Sequence, residues 1–469
     1  MRSERGTVVV VEREAPQEGA DLSEAFGAPY GKLKPGPGRE AADVADHQRA
    51  RIQSAMVEIV AERGYAATTV RALAGLAAVS TRTFYQHYSS KEDCLLRTHE
   101  LIVRRLLKRL VSATASRDAG DDRIKSLVKA LVGEWSCDPG AARLMLVDVC
   151  AAGPSAALQA RKAICTIEVV VSESLYCAGD WAEAPAWLAE GIVAGLIGVV
   201  RSRLLAGEGG QLADLGDCLA QWAISCCSPL ATQLEESAHR PPLEIQASEE
   251  LPFYPVQPSG LDGEEGTIAA TGDRALLLSA VAKLAAVEGA ECVTSKKVLA
   301  TAGLPRRSFS ANFGSVEDCL VAARERRAVE AIATAKRAAG KGLTIGESVY
   351  LAMSTLCAQI AEDIVFAHLC FGGIATAGPR DVHCHERLTA DLVGLVQSRG
   401  LEGDDDKSAI EASASAFWII LENEIGMGRS SQVIRSAKLF TYLLLAPTVG
   451  PLVAVEAVQA KLSNQTRED

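Results

Sequence analysis

The chain has 469 residues, is 48% hydrophobic but only 5% aromatic, and carries a net charge of −11. That length suits roughly two to four domains, the wealth of Ala and Leu favours helices packed through small side chains, and no apolar run approaches the ~18 residues of a membrane span. The five-residue apolar run near the N-terminus is followed by Glu12 and Glu14 and is too short for a signal-peptide core. Thirteen cysteines without paired spacing read as reduced core thiols, so a cytoplasmic protein is expected.

Residues 1–40, ending in GKLKPGPGRE, read as a mobile N-terminal tail. Next, Ile52, Ala55, Met56, Ile59 and Val60 mark one face of a helix that Gly64 stops. Thr69 can cap a short helix from Val70 to about Ala77, and AVS makes a tight turn. Ser80 can cap a third helix from Thr81 to about Tyr88, and Ser90 with Asp93 resembles a capping box opening a long fourth helix through Leu110. Further helices are expected over 121–137, 139–151, 156–178, 183–206 and 211–235. The stretch Glu235–Gly272, with five prolines and an acid excess, reads as a linker.

The chain then repeats itself. Arg49–Leu95 aligns without a gap on Arg274–Leu320, at an offset of 225 residues. Both runs close with EDCL, and AAGP at Ala151 reappears as TAGP at Thr376. Leu277, Ala280, Val281, Leu284 and Ala285 restate the apolar face, with Gly289 as stop and Thr294 as cap. Helices are again expected over 344–361, 363–372, 381–399, 406–427 and 431–463. The two aligned heads are locally basic. Arg39–Arg109 carries twelve Lys/Arg against eight Asp/Glu, and Asp273–Arg337 eleven against seven, so each is +4 and the remainder −19. Segregated charge of this kind suits nucleic-acid-binding heads on an acidic body.

Three short helices with a tight turn before the last form a helix-turn-helix head. The stretch ERGYAATTVRALAGLAAVSTRTFYQHYSSKEDCL resembles the N-terminal DNA-binding domain of the TetR family of transcriptional regulators, in Gly64-Tyr65, Thr69, Phe84-Tyr85-x-His87-Tyr88 and Lys91-Glu92. The likeness covers about fifty residues of the first head and, more weakly, the same frame of the second. It implies an all-α protein of two TetR-like halves in tandem, each a helix-turn-helix head plus a helical-bundle body. The halves divide as a first DNA-binding head over 41–110 and its body over 111–235, a linker over 236–272, then a divergent head over 273–337 and its body over 338–469.

Physical chemistry supports the family's DNA-contact roles at the matching positions. Thr81, Arg82 and Thr83 fall in the first turn of the third helix, where side chains reach base edges, and Arg82 suits guanine O6 and N7. Tyr85, His87 and Tyr88 offer hydroxyl or ring N–H donors to phosphates, Lys91 sits at a helix N-terminus, and Thr69 can donate as well as cap. Lys32, Lys34 and Arg39 are expected to follow a groove. The second head replaces Ser80 by Pro305, and Tyr85, His87, Tyr88 and Lys91 by Ser310, Asn312, Phe313 and Val316. It keeps Lys296, Lys297, Arg306, Arg307 and Ser308, a possible second DNA site.

The resemblance further implies an unidentified small-molecule effector held in a helical body, and pairing through the last two helices of each. Those would be Trp187–Leu205 with Leu212–Leu234, and Ile410–Met427 with Val433–Val458. Gly191, Gly195 and Gly198 would permit close helix approach. One chain could fold as a covalent pseudo-dimer, or each half could pair with its twin in a homodimer. Pocket candidates are Trp135, Met145, Trp181, Trp222, Phe366, His368, Phe371 and Trp418. No nucleophile signature, carboxylate pair or phosphate-binding glycine loop appears, so no enzyme and no cofactor is expected. HCHE at His383–Glu386 puts its two histidines on different helix faces, and no metal is expected. The expected function is a sequence-specific DNA-binding regulator, a ligand-responsive repressor. The alternative is a ligand-binding or interaction protein of the same fold that no longer binds DNA.

Overall fold

The computed structural model describes residues 41–114, 120–176, 186–228, 272–371, 389–392, 394 and 404–465. Among them the protein is all-α. The first head comprises α1 (Ala41–Ala67), α2 (Val70–Leu76), α3 (Thr81–His87) and the start of α4 (Lys91–Thr114). Its body follows as α5 (Asp121–Cys137), α6 (Pro139–Leu146), α7 (Pro154–Tyr176), α8 (Ala186–Leu205) and α9 (Gly216–Cys226). The second head is α10 (Asp273–Glu288), α11 (Ser295–Ala302), α12 (Arg306–Asn312) and the start of α13 (Val316–Ala339). Then come α14 (Ile345–Glu362), α15 (Ile364–Phe371), α16 (Asp404–Gly426), α17 (Ala437–Val449) and α18 (Pro451–Gln465).

The sequence offset reappears in these elements. Helix starts at Val70, Thr81, Lys91 and Pro139 correspond, 225 residues on, to Ser295, Arg306, Val316 and Ile364. Later the spacing tightens to 221: Gly207 and Gly428, with φ 79° and 70°, turn the chain after α8 and α16, and Gly216 and Ala437 open α9 and α17. A near-constant offset in element positions thus extends beyond the aligned heads into the bodies, shorter by four after α15.

Local chemistry accounts for the element ends. Thr69 Oγ1 accepts from Ala72 N at 3.2 Å, Ser80 Oγ from Thr83 N at 2.9 Å, and Ser90 Oγ from Asp93 N at 3.0 Å. Gly64, at φ 75° and ψ 163°, kinks α1 near its end, a conformation that a Cβ would resist. In α4 the buried residues Cys94, Leu95, Thr98, His99, Ile102, Leu106 and Leu110 recur at helical spacing and join the head to its body.

Three expected helices are shorter than their apolar pattern suggested. The 139–151 stretch ends as α6 at Leu146 and continues as a 3₁₀ segment, Asp148–Ala152. The 211–235 stretch begins as a 3₁₀ segment, Gly209–Leu215, before α9. The 431–463 stretch divides into a 3₁₀ segment, Ser430–Ser436, then α17 and α18. The α17–α18 break follows from Gly450, at φ 94°, and Pro451, which has no N–H to give. The N-terminal tail with Lys32, Lys34 and Arg39, almost all of the linker, the TAGP stretch, most of 381–399, Trp181 and His383–Glu386 lie outside the described residues.

The two bodies meet along α8 and α9 of the first and α16 and α17 of the second, in one continuous hydrophobic core. Glycine makes the approach possible. A Cβ on Gly191 would lie 2.9 Å from Leu443 Cδ1, and one on Gly198 2.6 Å from Ser415 Cβ. At Gly195 it would lie 2.3 Å from Trp222 Cη2 and 2.9 Å from the Ala412 carbonyl. Polar links fix the register. Trp222 Nε1 donates to Ser413 Oγ at 3.1 Å, and Tyr442 OH to the Cys226 carbonyl at 2.9 Å. Arg201 pairs with Glu422 at 2.7 Å and Arg203 with Glu411 at 2.8 Å. Partly buried ion pairs of this kind are weak evidence of added stability. Among the described residues no single helix is long and apolar enough to cross a membrane.

Candidate nucleic-acid interface

In the first head, α1 supports the helix-turn-helix from beneath. Phe84 is fully buried, and its ring lies 5.6 Å from that of Tyr88. The turn is closed by Val79 N donating to Ala74 O at 2.9 Å, with Ala78 in a left-handed conformation at φ 50°. Arg51, buried among apolar neighbours, donates from Nη2 to the Ala77 carbonyl and so ties α1 to the end of α2. With that frame fixed, α3 turns Thr81, Arg82 and Tyr85 outward; Tyr85 is 58% exposed, high for an aromatic side chain. Thr69 is exposed as well. Thr83 is half-buried, its hydroxyl 2.8 Å from that of Ser80.

His87 is held from α1 by a 2.9 Å contact between Nε2 and Gln48 Oε1. Burial, then the nearby Arg49, keep its pKa below the usual imidazole value, against the opposing pull of Asp46. It is therefore a neutral, oriented ring at neutral pH. Lys91 donates from Nζ to the carbonyls of Tyr65 and Thr68, both at 3.0 Å, and lies 4.0 Å above the Tyr65 ring. Two of its three protons thus hold the end of α1, a structural duty that the sequence pattern did not reveal.

Tyr88 departs from expectation. It is 1% exposed and its hydroxyl is buried without a partner, so it is a core residue with no route to a phosphate. The repeat carried the clue: Phe313 stands at the matching position, and its ring lies 6.0 Å from Phe309 just as Tyr88 packs on Phe84. Arg51 and Gln48 were also missed. Arg51 aligns with Leu276 and Gln48 with Asp273, so the repeat gave no signal for either.

The second head keeps the scaffold and changes the surface. Leu304 N donates to Leu299 O at 3.1 Å, the counterpart of the Val79 bond, and Gly303 takes the left-handed turn at φ 66°. Pro305 gives α12 no side-chain cap. Arg306, Arg307 and Lys296 are exposed. Lys297 is exposed too, but its ammonium is drawn into an ion pair with Glu288 and donates to the Cys292 carbonyl at 3.1 Å. Ser308 is 4% exposed and turned into the core, which removes it from any DNA-facing set. Asn312 Nδ2 folds back to the Ser308 carbonyl at 2.8 Å.

Of the pocket candidates, the structure gathers Phe366, Phe371 and Trp418 around one cleft in the second body. It is lined also by Leu356 and Phe417, with Phe371 and Trp418 rings 4.8 Å apart. The opening holds about 20 Å³, roughly one water molecule. His368, on the same helix, is half-buried, and burial lowers its pKa. Trp135 and Met145 are core residues of the first body, and the Trp135 indole N–H has no acceptor. Trp222 belongs to the seam between bodies. Among the described residues no group of three or more His, Cys, Asp or Glu is placed to hold a metal ion.

Several solved structures resemble parts of the chain. The fatty acid degradation regulator FadR from Bacillus halodurans is 20% identical, over 37% of this chain and 96% of its own, with a TM-score of 0.34. FadR from Bacillus subtilis in complex with stearoyl-CoA is 16% identical, over 37% and 97%, with a TM-score of 0.35. A TetR-like transcriptional regulator from Rhodococcus sp. RHA1 is 18% identical, over 39% and 96%, with a TM-score of 0.32. Likeness this slight says nothing about ligand. No curated protein matches the chain. Residues 52–98, running from α1 through the turn and α3 into α4, match the family model described as bacterial regulatory proteins, tetR family, so the head that carries Arg82 is similar to regulators of that family.

Proposed function

We propose that this protein is a sequence-specific DNA-binding transcriptional regulator, a repressor released by a small-molecule effector. The observation that carries the reading is the outward face of α3, where Thr81, Arg82 and Tyr85 stand exposed on a scaffold fixed by Phe84, Arg51 and the Ser80 cap. In this reading Arg82 reads a base edge. Tyr85 and Thr69 position the head on phosphates, with the remaining proton of Lys91 as a further donor, while His87, its one N–H given to Gln48, holds α3 against α1. Tandem halves pair within one chain through α8, α9, α16 and α17, so the functional particle is a single-chain pseudo-dimer presenting two unlike heads. Arg306, Arg307 and Lys296 give the second head its own weaker or different half-site. The effector acts by shifting the relative position of the heads. The aromatic cleft of the second body is its first candidate site, and an effector larger than a water must displace side chains there.

The test is fluorescence anisotropy with fragments of the promoter of the protein's own gene, across a salt series. Binding should weaken steeply with salt. Arg82→Ala should cost about 1–3 kcal/mol on the preferred fragment and far less on unrelated DNA. Equal loss on both, or none, overturns the reading. Mass in solution should correspond to one chain.

A further inference from the structure

Arg161, on α7 of the first body, is 5% exposed, yet its Nε and Nη1 have no hydrogen-bond acceptor. A guanidinium cannot shed its proton as a buried lysine can, so it must keep its charge and find an anion. The groups acting on it electrostatically are Cys150, Cys165, Arg429 and Glu422. Cys150 supplies no charge, because burial pushes its thiol up to about 11. Glu422 is already engaged: one oxygen accepts from Arg201 at 2.7 Å and the other from Trp418 Nε1 at 2.8 Å. Arg429 carries its own carboxylate, Glu424, bonded at 2.8 and 3.2 Å. Three arginines thus face two committed glutamates, and the surplus positive charge belongs to Arg161.

We propose that Arg161 anchors an oxyanion-binding site at the seam between the two bodies, taking the carboxylate or phosphate group of a small molecule. α7 belongs to the first half, while Glu422 and Arg429 belong to the second, so the bound anion touches both. Arg429 is partly open to solvent and marks the side of approach. The site is distinct from the aromatic cleft and does not depend on the DNA-binding reading, because its occupancy is read without DNA.

The test uses the full chain and two probes, inorganic phosphate and hexanoate, each against chloride at matched ionic strength. Thermal unfolding and isothermal titration should show a saturable stabilisation by one probe, and which one tells phosphate from carboxylate. Arg161→Met should abolish the response while leaving the anion-free protein at least as stable as the parent, since an unpaired buried charge is gone. Arg161→Lys should bind about 10- to 100-fold more weakly. If the variants do not fold, hydrogen exchange of the parent decides: the anion should protect α7 around Arg161 and the turn at Arg429. No saturable response above chloride, an unaltered response in Arg161→Met, or protection elsewhere overturns the proposal and leaves a guanidinium satisfied by buried water.

Discussion

Gly195→Ala tests the seam between the halves most directly. The added methyl would stand 2.3 Å from Trp222 Cη2 and 2.9 Å from the Ala412 carbonyl, well inside van der Waals contact on both sides. The Ala412 side is backbone of α16 and yields only if that helix moves. The Trp222 side can swing, but then it gives up the 3.1 Å bond from Nε1 to Ser413 Oγ, which also donates to the Leu443 carbonyl at 2.6 Å. Overpacking of this kind costs about 1–3 kcal/mol, and loss of the indole bond adds about 1 kcal/mol. Hydrogen exchange is the suitable assay, because it reports opening segment by segment in a chain this large. A loss of about 2 kcal/mol corresponds to roughly 30-fold faster exchange, and it should appear in α8 and α16 together while α2 and α3 keep their rates. Unchanged exchange in α8 and α16, or a uniform rise over the chain, would refute the contact as described.

Three further outcomes are expected. His99 is buried on α4, and burial lowers its pKa to about 4 against a small opposing bond with Met145. The unfolded chain therefore binds this proton first, so stability should fall as pH drops from about 6.5 to 4, by about 1.4 kcal/mol at pH 5.5. Denaturant titration of His99→Gln should lack that component. Tyr88→Phe should leave DNA binding and its salt slope unchanged and stability equal or higher, whereas Tyr85→Phe should weaken binding by about 1 kcal/mol in anisotropy. Lys91→Met should loosen the first head even without DNA, by about 1.5–3 kcal/mol, read as faster exchange at the end of α1, because two backbone carbonyls lose a charged donor.

Much of the fold was legible because its signals are local. Thr69 and Ser80 sit where a cap must sit, Gly64 where a left-handed stop is needed, and the α4 stripe recurs at helical spacing. The offset of 225 pointed to the helix starts at Ser295, Arg306 and Val316. What remained hidden was long-range. Lys91 looks identical in sequence whether its ammonium faces a phosphate or the carbonyls of Tyr65 and Thr68. Nothing adjacent to Arg161 reveals that Glu422, more than 250 residues away, is spoken for by Arg201. Apolar periodicity also overran Gly450-Pro451, where backbone geometry rather than hydrophobicity ends the helix.

The comparison of heads sharpens what a repeat can say about function. Positions alike in both copies, Phe84 with Phe309 and the turn bond of Val79 with that of Leu304, belong to the scaffold. Tyr88 with Phe313 shows that a change of type can also be scaffold, when only a buried hydroxyl differs. In the proposed reading the exposed first turns carry specificity: Thr81 differs from Arg306, while Arg82 is retained as Arg307. Ser308 fails that filter because it is buried, and Lys297 is weakened by its pairing with Glu288. A homodimer presents one recognition surface twice. In the proposed reading α3 and α12 are two recognition helices whose exposed first turns read Thr-Arg and Arg-Arg, and an asymmetric operator follows from that difference. A site built as a perfect palindrome should therefore bind no better than one with only the first half-site preserved.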